Sequence, residues 1–212
     1  MSEVRKITAI ELQKKRKDRY SVFVNNEFAF GIHQDVLLKS GIAAGDELSL
    51  RQIHKIQIME EDRAAKEKAM QLLKVRDRSL YELRQRLSRT GFSEESINRT
   101  IADLKKYDLL NDTKFAKMFS RSRMITKPVG AFYLKREMIK KGLSESDIKA
   151  GVEEAYREKS EYDYARIVAQ RGKKKYQKLE PDKAKQRVSD LLARRGFHYE
   201  MISDVIEHWD EL

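Results

Sequence analysis

The side chains best placed to do chemistry in this 212-residue chain are cationic. Lys114, Lys117, Arg121, Arg123, Lys127, Lys135, Arg136, Lys140 and Lys141 crowd into less than thirty residues. That density of lysine and arginine suits a polyanion or an acidic protein surface. The chain as a whole carries a formal +11, and residues 112–160 hold twelve basic against seven acidic groups, the strongest imbalance of any segment. Nothing comparable supports catalysis. The four histidines, His33, His54, His198 and His208, lack metal-ligand spacing, and no HExxH, P-loop or GxSxG pattern occurs. With no cysteine, disulfides and thiolate metal sites are excluded. A non-enzymatic protein without metal or cofactor is expected. No apolar run approaches the ~20 residues that span a bilayer, and the N-terminus lacks an apolar signal core. No membrane association and a cytoplasmic location follow as expectations.

Helical periodicity suggests how these cations are presented. With Phe115 as origin and about 100° per residue, Phe119 and Met118 mark the buried stripe, and Lys114, Lys117 and Arg121 fall on the far side. With Leu134 as origin, Met138 is buried while Arg136 and Lys140 point away. Two neighbouring helices therefore each carry an outward basic stripe. A solvated face explains either stripe alone; two in the most basic segment favour a contact surface. Among the aromatics that could stack on bases, Phe92, Phe197 and Trp209 suit core packing better, whereas Tyr133 stays open.

The helices belong to a unit that occurs three times. Its copies read Leu83, Leu87, Gly91, Phe92, Ile97, Ile101, Leu104, then Leu134, Met138, Gly142, Leu143, Ile148, Val152, Ala155, and last Val188, Leu192, Gly196, Phe197, Ile202, Ile206, Trp209. The apolar offsets from each glycine are identical, which marks a repeat architecture. Each glycine suits the left-handed end of one helix, and Ser93, Ser144 or His198 opens the next. Ser49 with Gln52, Ser79 with Glu82, and Ser160 with Asp163 read as capping boxes. Asp112 is the expected N-cap of the helix bearing Phe115, Met118, Phe119 and Ser122 on its inner face. Lys127-Pro128-Val129-Gly130 breaks the chain, with the proline expected at a helix start.

Residues 1–48 follow a different rhythm. Ile7 to Leu12 is an expected strand, and Tyr20–Val24 and Phe28–Ile32 alternate around Asn25-Asn26 as a hairpin. A short helix from His33 to Lys39 stops at Gly41. The fold class expected is mainly α, with three tandem three-helix repeats in an elongated array behind a small β-rich N-terminal module. The boundaries expected are 1–48 for that module, 49–111 for repeat one with its lead-in helix, 112–159 for repeat two and 160–212 for repeat three.

The sequence resembles the RecX family of recombination regulators. Carrying the resemblance are Leu109 to Ala116, Arg121-Ser122-Arg123, Lys127 to Gly130, and Leu134 to Leu143. The RSLYEL run from Arg78 to Leu83 matches the family's first repeat, and RRGF from Arg194 to Phe197 its third. Asn111 stands where an acidic residue is common, and Met138 where leucine is usual. The resemblance implies a non-enzymatic protein that binds the RecA–DNA filament in its groove; separately, a monomer is expected. It would lower filament growth, ATP hydrolysis and strand exchange, and so regulate DNA repair. The alternative is a basic helical module that binds single- or double-stranded DNA directly. A plain scaffold would leave the basic stripes without a role.

Overall fold

Asn25 and Asn26 take positive φ values of 51° and 69°, the left-handed pair that closes a two-residue hairpin. The computed structural model describes residues 5–212. Strands β1 (Arg5–Leu12), β2 (Arg19–Val24), β3 (Glu27–His33) and β4 (Glu47–Leu48) form an antiparallel sheet in the order β3-β2-β1-β4. Alternation places Ile7, Val22 and Ile32 on the inner face, all fully buried. The two-residue β4 has no signal of its own; pairing with β1 creates it. Helix α1 (Gln34–Ser40) follows, capped by His33 and ended by the left-handed Gly41.

Helix α2 (Leu50–Val75) starts in the expected Ser49–Gln52 capping box and runs 26 residues without a break. Its first turns bury Ile53 and Ile56 with the sheet residues; further along, Ala65 and Ala69 are buried. The helices α3 (Leu80–Thr90) and α4 (Glu94–Lys106) complete repeat one. Repeat two consists of α5 (Asp112–Thr126), α6 (Ala131–Lys140) and α7 (Glu145–Ala155). Repeat three consists of α8 (Glu161–Lys175), α9 (Pro181–Arg194) and α10 (Tyr199–Glu207), closed by a 3-10 turn at Trp209–Glu211. Two compact units result. One takes the chain up to Arg76 together with Leu83–Tyr107; the other takes Asp77–Glu82 together with Asp108–Leu212.

The repeat glycines Gly91, Gly142 and Gly196 have φ of 95°, 71° and 78°, as a left-handed helix stop requires. In the second copy the N–H of Leu143 reaches Met138 O at 3.4 Å and that of Gly142 reaches Ile139 O at 2.9 Å. These are the two bonds of a Schellman cap. The residues eight and four before each glycine are fully buried in all three copies: Leu83 and Leu87, Leu134 and Met138, Val188 and Leu192. Leu87→Ala should therefore cost about 2–5 kcal/mol, read as a lower urea midpoint; an unchanged midpoint would contradict its place in the core.

Three local expectations are corrected. Asn111, not Asp112, is the N-cap of α5, its side chain accepting from the Lys114 N–H at 3.0 Å. Pro128 does not start α6; Gly130 is the N-cap and Ala131 the first helical residue. On α5 the buried residues are Phe115, Ala116, Ser120 and Met124, while Met118 and Ser122 are exposed. Ala116 and Ser120 are small, and small residues let α7 lie close along α5. A search for large apolar side chains passes over that face. His198 holds the N-cap position of α10 without a side-chain cap bond.

Candidate interface on the second repeat

The rotation of α5 relocates its cations. Because the buried face centres on Ala116 and Ser120, Lys117 and Arg121 flank it on the α7 side instead of opposing it. Arg121 is bonded to Glu154 of α7, whose side chain is 7 % exposed, and Arg157 lies 3.5 Å from the same carboxylate. The hydrogen bond from Arg121 is the main reason that Glu154 titrates below the ordinary glutamate value, with the charges of Arg121, Arg157 and Lys117 adding to it. Lys114 is the more outward residue and is paired with Asp108. The lowered Glu154 titration gives the sign of a pH effect. Its contribution is complete above about pH 4.5 and is lost as pH falls through its lower folded-state value. Arg121→Gln should lower the thermal midpoint at pH 7 and shrink its fall on acidification, whereas Lys117→Gln, which removes only the smallest of these influences, should change both far less.

The remaining cations divide in two. Arg123 is half-buried, with Nε 2.7 Å and Nη2 3.2 Å from the two Glu137 oxygens. Its Nη1 donates to the Lys127 carbonyl at 2.6 Å, and its guanidinium lies 6.0 Å from the centre of the Tyr133 ring. Lys141 donates to Glu82 at 3.0 Å and sits 5.0 Å from the Phe119 ring centre. These two hold the helices together. Lys127, Lys135, Arg136 and Lys140 are exposed, and among the described residues none of them has an ion pair. Arg136 covers the 61 % exposed Phe132 ring at 5.7 Å. Arg136 and Lys140 also line an open cleft of about 480 Å³ with Glu82, Phe119, Tyr133, Glu137 and Lys141. The expected stripe on α6 is thus a set of available charges beside exposed aromatic rings, while that on α5 is largely consumed by local pairs.

What orients α6 comes from repeat three. The Gly130 N–H donates to the Arg195 carbonyl at 2.9 Å, and Arg195 Nη1 donates to the Pro128 carbonyl at 3.1 Å. Glu161, the first residue of α8, accepts from the Ala131 N–H at 2.9 Å and so caps α6 from outside. Tyr156 donates to the Val129 carbonyl at 2.8 Å, and burial raises its phenol above the ordinary value, keeping the proton in that bond. The same contacts recur one repeat earlier. Ser79 Oγ donates to the Lys141 carbonyl at 2.6 Å, and Asp112 accepts from the Leu80 N–H at 2.8 Å. Lys141 and Arg195 each precede a turn glycine, and Asp112 and Glu161 each begin a repeat. None of these partners is visible as a pair in the sequence, where they stand 27 to 67 residues apart.

Three-helix units that share a recurring set of backbone and carboxylate bonds, in a chain that also carries a small antiparallel sheet, define a tandem-repeat protein with a cationic face. Family models match in the same order along the chain. The regulatory protein RecX N-terminal domain covers residues 5–49, and the RecX first, second and third three-helix domains cover 65–104, 111–152 and 159–206. The chain belongs to the RecX family of regulatory proteins. It is 31 % identical over 203 residues to regulatory protein RecX of Clostridium perfringens strain 13, covering 95 % of this chain and 94 % of that one. Against regulatory protein RecX of Clostridium acetobutylicum it is 31 % identical over 206 residues, with the same coverage. The fold is similar to a crystal structure of regulatory protein RecX, with a TM-score of 0.71 at 24 % identity over 98 % of this chain and all of the other. RecX from Lactobacillus salivarius gives a TM-score of 0.62 at 21 % identity, over 73 % of this chain. Among the described residues no helix is long and apolar enough to cross a membrane.

Proposed function

We propose that this protein is a non-enzymatic, monomeric regulator of recombination and DNA repair in the cytoplasm. It binds the RecA–DNA filament and restrains filament growth, ATP hydrolysis and strand exchange. The observation that carries this reading is membership of the RecX family along nearly the whole chain. The exposed cations Lys135, Arg136 and Lys140 on α6, with Lys127 before it, supply charge for an acidic protein surface or for DNA phosphates. Adding the protein below equimolar amounts to its cognate RecA on single-stranded DNA should slow ATP hydrolysis during filament assembly. Unchanged ATPase and strand exchange at equimolar protein would sink the reading. A second reading, direct binding of nucleic acid without a recombinase, is favoured by Phe132 and Tyr133 exposed beside Arg136, since bases stack on aromatic rings next to cations.

A further inference from the structure

Outside the second repeat the densest run of cations in the first unit is Lys14-Lys15-Arg16-Lys17. It forms the turn between β1 and β2, and all four residues are exposed. We propose that this turn is a second binding site, which takes the phosphate backbone of double-stranded DNA without reading its sequence.

The turn is a held structure. The Gln13 N–H donates to the Arg19 carbonyl at 2.8 Å, and Arg16 bridges the two ends, its N–H 3.3 Å from the Gln13 carbonyl and its carbonyl 3.3 Å from the Arg19 N–H. Its base is tied to the scaffold: Arg19 lies 2.7 Å from Glu60 of α2, and the Asp18 carbonyl accepts from the Gln34 N–H at 2.8 Å. The one acid inside the turn, Asp18, faces His33 Nε2 at 3.3 Å. Glu11 is the other nearby acid, on β1 across from Ser21. Among the described residues none of the four turn cations has an ion pair.

Two structural explanations of such a run do not apply. Lysines often protect the open edge of a sheet, yet this run lies in the turn beyond Leu12, outside the strand residues whose backbone an edge exposes. Surfaces that need only solubility intersperse both signs, whereas here four like charges share one tight turn. Their mutual repulsion is relieved by a dense anionic partner. Duplex DNA offers one charge per about 1.7 Å of axis, and its major groove admits a two-stranded ribbon. The exposed part of the turn carries no aromatic ring on which a base could stack, which separates it from a single-strand platform.

The test uses the full chain and a short duplex of mixed sequence, titrated across a range of salt. In the variant Lys14→Gln, Lys15→Gln, Arg16→Gln, Lys17→Gln the log–log salt slope should fall by about 2 to 4, at about 0.9 per phosphate neutralised. Affinity at low salt should drop by about tenfold or more. A second variant, with Lys14, Lys15 and Lys17 changed to Arg, should bind as the wild type does and shows that charge at a folded turn is what matters. An unchanged slope in the first variant, failure of the wild-type chain to bind the duplex, or an equal loss on a single strand of the same length would each overturn the proposal. RecA ATPase measured on the same variants reports on the other reading separately, because the turn residues and the α6 cations lie in different units.

Discussion

Gly130→Ala should be among the most damaging single substitutions in the chain, lowering stability by roughly 4 kcal/mol or more. A Cβ built on Gly130 would lie 2.1 Å from the Gly196 carbonyl oxygen, 2.5 Å from its carbon and 2.7 Å from the Phe197 nitrogen. All three are backbone atoms, so no side chain can turn aside to make room. The Gly130 N–H is also bonded to the Arg195 carbonyl, and moving the turn away breaks that bond together with the Glu161 cap on Ala131. With typical total stabilities of about 5–15 kcal/mol, such a loss leaves little reserve. The informative comparison is Gly91→Ala, where φ is 95° but a Cβ meets nothing within 4 Å. There the left-handed backbone alone is penalised, by about 1 kcal/mol. Urea denaturation of both variants reads the difference. A Gly130→Ala midpoint equal to that of Gly91→Ala would show that the repeats do not approach as closely as described.

The second large effect concerns regulation. Reversing Lys135, Arg136 and Lys140 to Glu changes the net charge from +11 to +5. It should weaken inhibition of RecA ATP hydrolysis by about tenfold or more, equivalent to about 1.4 kcal/mol. The three residues are exposed and without ion pairs among the described residues, so each change should alter stability by no more than about 0.5 kcal/mol. A triple Gln variant, neutral and with good helix propensity, separates lost attraction from added repulsion. The α5 cations are left intact in this design because Arg121 is committed to Glu154 and Lys114 to Asp108; changing them would confuse folding with binding. On free single-stranded DNA the same variant should reduce the log–log salt slope by about 0.7 for each phosphate it no longer neutralises. Weakened inhibition with unchanged DNA binding favours the recombinase reading, and parallel loss of both favours direct nucleic-acid binding. A folded triple variant that keeps full inhibition removes α6 from the interface.

Much of the architecture was legible because its causes are local. A glycine at a fixed distance after two leucine-like positions is enough to stop a helix, since only the residue's own φ is at stake. Asn25-Asn26 makes a hairpin turn for the same reason, and Ser49, Ser93, Ser144 and Ser160 cap helices through bonds to residues three positions on. Burial at the positions eight and four before each glycine follows from apolar spacing alone. The cations of α6 could be placed outward because Leu134 and Met138 define its inner face without ambiguity.

The sequence by itself determined where the main helices and the first three strands lie, where the repeat helices stop at glycine, that one unit occurs three times, and which segment concentrates positive charge. The tertiary structure decided what happens between units of sequence far apart. Helix α5 turns toward small residues because α7 approaches it closely, a gain that no single apolar side chain announces. That rotation commits Arg121 to Glu154 and leaves the available charge on α6. The stacking of repeats depends on main-chain carbonyls at Lys141 and Arg195 and on carboxylates at Asp112 and Glu161. Carbonyls are common to every residue, and a carboxylate in a first helical turn looks the same whether it faces solvent or caps a neighbouring helix. Only the folded chain brings each to its partner.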